Sequence, residues 1–418
     1  FFKMPRKRAA HITCFGQYRG KVGGLKGALY GFSVNIIQGC VRYPPAPGGA
    51  ETVVRAYSEG LQSKGHNVEV ITTDLYTETP FVKKKMPSEV SGIPVSRHSA
   101  YSISGEAHYV LAPGMVTSFL KKEADIIHTH SYGYFQNHAA WIKERFQSTP
   151  WVITPHFHPS WSMWGGSKRR TLRDFYDTVV GKSTLESADL ITCVSKHEKE
   201  MLIKEIGLKD DNIKIIYNGI YWKDWEKLPD KELFRTKYPE VSDKFVIFAG
   251  RLATNKGIHD LIEAVSIEES ERFDLVVMGA DMGLGGDLDK LALSKNVKMH
   301  RIGHVDDPIY RSALSAAEVL VLPSEYEAFG IVLLEAAAAQ TPVVAARVGG
   351  TPEAMSEGKN GLLVEYSDPV SLSKAIFTIL DDEKLAKEMS TFGREFAKDF
   401  SWSSIVNMLE KEYDLLRA

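Results

Sequence analysis

The sequence predicts an α/β protein made of two doubly wound, Rossmann-like domains that face each other across a cleft. Three observations lead there. Short β-rich apolar runs alternate with stretches whose apolar residues recur at helical spacing, the signature of βαβ units and of parallel sheets covered on both faces. Two such series are separated by a charged segment broken by two prolines, KDWEKLPDKELFRTKYPEVSD at 223–243, which reads as the linker. The 418 residues, 44% hydrophobic and 25% charged, supply chain for two or three domains of ordinary size.

The chain opens on a basic stretch. Of its 51 Lys and Arg and 53 Asp and Glu, residues 1–31 hold seven basic and no acidic ones, together with six glycines. Without a sustained apolar period this stretch reads as a disordered extension, or else as an electrostatic arm toward anionic lipid or a partner. The remaining chain carries nine excess negative charges, which argues against a nucleic-acid binder, because neutralising phosphates needs a basic face. The three cysteines, Cys14, Cys40 and Cys193, have neither the number nor the spacing of a disulfide framework or a zinc knuckle. With no apolar run of membrane-spanning length and no secretory apolar core, a cytoplasmic location is expected.

The first domain is placed at 32–222. FSVNII (32–37) leads through the loop PPAPGGAE (44–51) into a helix-periodic stretch TVVRAYSEGLQSKG and then the strand VEVITTD, one βαβ unit. DIIHTH (125–130), WVITPH (151–156), LITCVS (190–195) and IKIIYNG (213–219) continue the series. The second domain, 244–398, repeats the pattern with KFVIFAG, DLVVMG, EVLVLPS, PVVAAR and GLLVE. In such sheets ligands gather at the carboxyl ends of strands, so the loops after these runs are where chemistry belongs.

Four of those loops carry candidate residues. In FGIVLLEAAAAQ (329–340) an otherwise apolar helix contains Glu335, with Glu327 just before it. A buried carboxylate needs a fixed partner. That partner is either a ligand diol, as in a ribose, or an internal Arg or Lys. Phe329 and Gly330 place free N–H groups at the helix start, a seat for phosphate oxygens. AGRLATNKG puts Arg251 and Lys256 over one strand end, where two cations can hold a diphosphate and stabilise it as it leaves; the alternative is a pair of ordinary surface charges. Gly48 and Gly49 allow close backbone approach to an anion, or simply make a βα turn. His128 and His130, and His156 and His158, lie pairwise on one strand face. They suggest a metal site, or His130 and His156 lining the cleft as hydrogen-bond donors, or packing at strand ends. Asp287 and Asp289 match a manganese-binding DxD signature, yet Asp287 reads as a helix N-cap with a second acid in the first turn.

GGAE near the start, TPH mid-domain, YNGI before the linker, GRLxxxKG and then ExFGIVLLE together resemble the family-4 retaining glycosyltransferases in order and spacing, over 32–418. The resemblance implies the GT-B fold, with the closing segment 399–418 forming a helix that returns to the first domain. It implies Arg251 and Lys256 on the donor diphosphate, Glu335 on the ribose, and the Phe329, Gly330 and Ile331 backbone on phosphate and sugar. It further implies Glu327 on the sugar hydroxyls, Gly48 and Gly49 closing over the diphosphate, and His156 near the anomeric carbon. His156, Glu327, Arg251 and Lys256 are thereby the catalytic candidates. Ser195 and Lys196 match a cleft-facing position. Tyr221 stands where the family often has Asp, so no role is carried to it.

The function implied is metal-independent, retaining transfer of a hexose-type sugar from a nucleotide diphosphate sugar, with no cofactor. A UDP- or GDP-sugar is expected ahead of an ADP-sugar, although no residue selects the base, and the acceptor is a saccharide or a lipid-linked molecule. In HPSWSMWGGSKRRTLRDFY (158–176), Trp161, Trp164, Lys168, Arg169, Arg170 and Arg173 join aromatics to cations. That suits a lipid-phosphate acceptor with peripheral membrane contact, stacking on sugar rings, or a mobile solvated loop. Competing readings are a nucleotide-sugar epimerase, a carbohydrate phosphorylase, and a noncatalytic nucleotide-sugar scaffold. The first does not usually pair GRLxxxKG with the two glutamates, and the second lacks a candidate cofactor lysine.

Overall fold

A computed structural model describes residues 33–78, 80–102, 110–159, 171, 173–267 and 272–418. The extension 1–31 lies outside the described residues, and so do Trp161, Trp164, Lys168, Arg169 and Arg170. Two sheets organise the chain. The first contains β1 (Asn35–Gly39), β2 (Asn67–Thr73), β3 (Glu89–Val90), β4 (Ile93–His98), β5 (Ile126–His130), β6 (Trp151–Thr154), β7 (Leu190–Cys193) and β8 (Ile213–Ile215). Their order is β8-β7-β6-β5-β1-β2-β4-β3, parallel except for β3 with β4. The second contains β9 (Phe245–Ala249), β10 (Asp274–Met278), β11 (Met299–Ile302), β12 (Val319–Leu322), β13 (Val343–Ala346) and β14 (Gly361–Val364). It is wholly parallel, in the order β11-β10-β9-β12-β13-β14. Every residue of β9, β10, β12 and β13 is buried, as strands covered by helices on both faces require.

Three strands of the two sheets escaped the sequence reading: β3, too short at two residues to show a period, β4 and β11. In β4, IPVSRH, a proline and three polar side chains interrupt the apolar run. In β11, MHRI, the interruption is His300 and Arg301, tolerated because this strand is the sheet's edge.

The helices that bear on the site are α1 (Gly49–Ser63), α2 (Lys196–Met201), α3 (Lys231–Lys237), α4 (Gly285–Ser294), α5 (Asp307–Ala316), α6 (Ile331–Ala338) and α7 (Trp402–Arg417). Segment 223–243, expected as a linker, contains α3. Its Phe234 is fully buried against Phe245, with ring centroids 5.3 Å apart, and the Phe234 N–H donates to Ser312 Oγ at 2.8 Å. Trp225 is buried in the same core, and Tyr238 and Val241 pack against it, so a few apolar residues spaced through a charged stretch dock it on the second domain.

The final helix, α7, returns to the first domain and packs on α1. Trp402, Ile405, Val406, Leu409 and Tyr413 join the core formed by Val34, Ile36, Val54 and Tyr57. A Cβ on Gly60 would stand 2.6 Å from Val406 Cγ2, so the missing side chain sets how closely the helices approach. Ile220 bridges Ser401 where the chain crosses back. Tyr221, the departure from the family pattern, donates to Glu59 Oε2 at 2.9 Å and meets Trp402 edge-on, fastening the crossover to α1.

Candidate active site

On the second domain, the chain leaving β9 passes Arg251, which is exposed, and closes a 3-10 turn at Lys256. Gly257 follows with φ 65, and a Cβ there would lie 2.1 Å from the Pro323 carbonyl oxygen, so only glycine lets this turn rest against the loop after β12. That close approach brings Lys256 Nζ to 2.6 Å from Glu327 Oε1, with both side chains 15% exposed. Ser324 Oγ donates to the same oxygen at 2.7 Å. The backbone of Glu327 is itself cradled: Gly350 N–H donates to the Glu327 carbonyl at 2.9 Å, and a Cβ on Gly349 would lie 1.9 Å from that oxygen. Sequence reasoning missed Gly349 and Gly350. Their signal was available, a GG pair directly after a β-rich run, as at Gly48 and Gly49.

Phe329 is buried, Gly330 takes φ 93 as the N-cap of α6, and Ile331 begins the helix. One turn on, Glu335 Oε2 accepts from Tyr310 Oη on α5 at 2.6 Å. Among the described residues no Arg or Lys pairs with Glu335, so its fixed partner is a neutral hydroxyl, that of Tyr310, which sequence reasoning had no ground to single out. Burial holds the Glu335 carboxyl above its ordinary range, with the Tyr310 hydrogen bond pulling the other way.

On the first domain, Gly48 takes φ 153, and a Cβ there would meet Glu51 Oε2 at 2.0 Å; Gly49 opens α1 with no atom within 4 Å of its Cβ position. Glu51 is buried and pairs with Arg42 at 2.8 Å. Burial pushes its carboxyl up to about 7, opposed by Arg42 and more weakly by Arg251. His156, just beyond β6, holds φ 46, a left-handed conformation uncommon for a side-chain-bearing residue, and its Nε2 is buried without a partner among the described residues. Burial, with His158 adding to it, pushes the imidazole down to about 4. His158, exposed at the surface, is held below the ordinary imidazole range by desolvation and then by Lys256, while Glu327 acts in the opposite sense and Arg251 in the same sense as Lys256. These interactions place Lys256, Glu327 and Arg251 of one domain opposite the His156-His158 segment of the other.

Three expectations are corrected. His130 does not line the cleft: it is fully buried, its Nε2 bonds Gln38 Oε1 at 2.8 Å, and its ring stacks between His128 at 4.3 Å and His156 at 5.9 Å. His128 is bonded on both nitrogens, to Tyr413 Oη at 2.6 Å and Thr154 Oγ1 at 2.7 Å, so α7 decides which way this strand face is filled. Ser195 is not cleft-facing either. It is fully buried, and its Oγ accepts from Glu198 N–H at 3.0 Å as the N-cap of α2. Lys196 presents its backbone instead: its N–H and that of His197 donate to Glu353 of the second domain at 2.8 to 3.2 Å. Third, Asp287 is not the N-cap of α4. Asp281 Oδ1 takes the N–H groups of Gly283, Leu284 and Gly285 at 2.8 to 3.0 Å, so the helix starts earlier and Asp287 falls in its first turn. Asp287 pairs with Lys290 at 3.2 Å and Asp289 with Arg301 at 2.8 Å. Among the described residues no cluster of three or more His, Cys, Asp or Glu is arranged to hold a metal, and no helix is long and apolar enough to cross a membrane.

Comparison with known proteins follows the two halves. Residues 47–221 match the model of Glycosyltransferase Family 4, and residues 230–396 match that of Glycosyl transferases group 1. The chain is 28% identical over 381 residues to an uncharacterized glycosyltransferase of Methanocaldococcus jannaschii, covering 90% of this chain and 96% of that protein. It is 27% identical over 402 residues to a glycogen synthase of Mycobacterium tuberculosis, covering 89% and 92%. Among solved structures, sucrose-phosphate synthase of Thermosynechococcus elongatus superposes with a TM-score of 0.76 at 24% identity, covering 92% of this chain and 99% of that one. Anabaena HepE, solved in complex with UDP and glucose, gives 0.72 at 20% identity, covering 91% and 99%.

Proposed function

We infer, for a chain that belongs to glycosyltransferase family 4, that it moves a hexose-type sugar from a nucleotide diphosphate sugar to a saccharide or lipid-linked acceptor, with retention and without a metal ion. The observation that carries this reading is the contact of Lys256 with Glu327, 2.6 Å apart at the ends of two adjacent strands, with the neighbouring Tyr326 touching Phe157 and His158 of the first domain. It sets a cation for a departing phosphate directly beside a carboxylate that can take sugar hydroxyls.

In that reading Arg251 and Lys256 hold the diphosphate and offset the charge that grows on its leaving oxygen, the work a metal does elsewhere. As the diphosphate takes the Lys256 ammonium, Glu327 turns its oxygens to the sugar. The open Oε1 of Glu335 accepts from the ribose diol, while the N–H groups at Gly330 and Ile331 and the chain at Gly48 and Gly49 approach the phosphates. His156, neutral because its proton affinity is so depressed, offers a hydrogen bond at the sugar. The acceptor hydroxyl attacks the anomeric carbon on the face the diphosphate leaves, and its proton passes to the departing phosphate oxygen. No side-chain nucleophile is required. Work at the cytosolic face of a membrane, with segment 158–176 touching lipid, belongs to the same reading.

A thermal-shift panel of UDP-, GDP- and ADP-sugars against wild type and Glu335→Ala tests it, since a ligand that binds the folded state raises its melting temperature. UDP-glucose is the first donor to try. A rise with one nucleotide sugar that is lost in the variant is expected; no rise at millimolar donor would defeat the donor site. NMR of the product then reads the anomer, and an inverted product would defeat retention.

A further inference from the structure

The residue that follows His156, whose own φ is 46, is held through both of its backbone groups, one in each of the two peptides that flank it. The Phe157 N–H donates to Glu198 Oε1 at 2.5 Å, and the other Glu198 oxygen takes the Val194 N–H at 2.6 Å. Glu198 is fully buried and stands on α2, whose first turn is capped by Ser195. The Phe157 carbonyl accepts from Tyr326 Oη at 2.9 Å, and Tyr326 belongs to the second domain. Tyr326 is 3% exposed and lies edge-on to His158 with ring centroids 5.1 Å apart. Its neighbour in sequence is Glu327. The residue beside the donor-side carboxylate therefore grips the residue beside the strained histidine.

A left-handed φ on a histidine costs of order 1–3 kcal/mol and persists only where the surroundings over-determine it. Here the first domain supplies half of that restraint, through Glu198, and the second supplies the other half through one hydroxyl. From this we propose that Tyr326 is a positioning residue: its hydroxyl makes the working conformation of His156 conditional on the second domain being seated, and so couples the donor half of the site to the acceptor half. The coupling rests on the glycosyltransferase reading for its functional meaning, while the backbone lock itself does not. Phe157 and Tyr326 are 169 residues apart, so this contact exists only when the domains meet.

The test is Tyr326→Phe, which keeps the ring and removes the donor. Donor affinity, read as the thermal shift with UDP-glucose or whichever nucleotide sugar binds, is expected to stay within about twofold. Turnover is expected to fall by about 10- to 100-fold, the scale of a misplaced reacting group. In the ligand-free protein the His156 imidazole resonance, assigned by its loss in His156→Ala, should move or broaden while that of His128 stays put. Glu198→Gln, acting on the N–H of the same residue, should move the same resonance. An unchanged His156 resonance in Tyr326→Phe overturns the lock, and an unchanged turnover overturns its role in the reaction. If no nucleotide sugar binds wild type, the glycosyltransferase assignment falls while the resonance measurement still decides the lock.

Discussion

Replacing Glu335 by Gln should make the protein more stable and a worse binder of its donor at the same time. Among the described residues Glu335 takes one side-chain hydrogen bond, from Tyr310, and burial holds its carboxyl above the ordinary range. A carboxyl raised in the folded state is easier to ionise in the unfolded one. Above its raised titration the folded state therefore carries the cost of a desolvated anion, and below the ordinary carboxylate range both states are protonated and that cost disappears. Glu335→Gln keeps the shape and removes the charge. Its melting temperature should exceed wild type at pH 8, with each kcal/mol of relieved cost worth about 1 °C for 418 residues unfolding together, and the gap should close as the pH falls through the carboxylate range. Donor binding moves the other way. A charged hydrogen bond to a diol hydroxyl is worth about 1.5–3 kcal/mol, so Kd should rise roughly 10- to 150-fold. Calorimetry without ligand and a donor titration read both halves. Unaltered donor affinity would refute the ribose assignment, and an unaltered melting temperature at pH 8 would refute the account of what Glu335 costs.

Lys256→Ala should lower turnover about 100-fold if its ammonium stabilises the leaving phosphate, measured as product release at saturating donor; wild-type turnover would sink the assignment. EDTA dialysis should leave turnover unchanged, and activity lost to EDTA and restored by Mn²⁺ would return Asp287 and Asp289 to consideration. Gly48→Ala sets a Cβ 2.0 Å from Glu51 Oε2 at φ 153, so the Arg42-Glu51 pair must shift, and donor affinity should drop while the fold, read by circular dichroism, survives. Burial pushes His128 down to about 3 and His156 to about 4. Because the unfolded chain takes those protons first, stability should fall as the pH drops from the ordinary imidazole value toward 4. Glu51 and Glu335, both held up by burial, act in the opposite sense, so the test is the melting temperature of wild type minus that of His156→Gln, which should fall from pH 7 to 5; a difference constant with pH would contradict this.

Sequence by itself determined the two βα series, the order of their strand runs and the loops that hold Gly48, Gly49, Arg251, Lys256, Glu327 and Gly330, because alternation, helical periodicity and glycine positions are local properties of the chain. What it could not weigh were sparse anchors: Phe234, with Trp225, turns an apparent linker into part of the second core. The partners of the site were also beyond it. Lys256 and Glu327 are 71 residues apart, and the Tyr310-Glu335 and Tyr326-Phe157 contacts arise from packing between separate elements. Strand alternation correctly put His128 and His130 on one face, yet it says only that two residues share a face, never what lies over it. Tyr413 on the returning helix, 285 residues from His128, fills that space and turns two apparent ligand-binding histidines into core. Side-chain direction relative to a strand is set locally, whereas the neighbour it meets is set by how the whole chain packs.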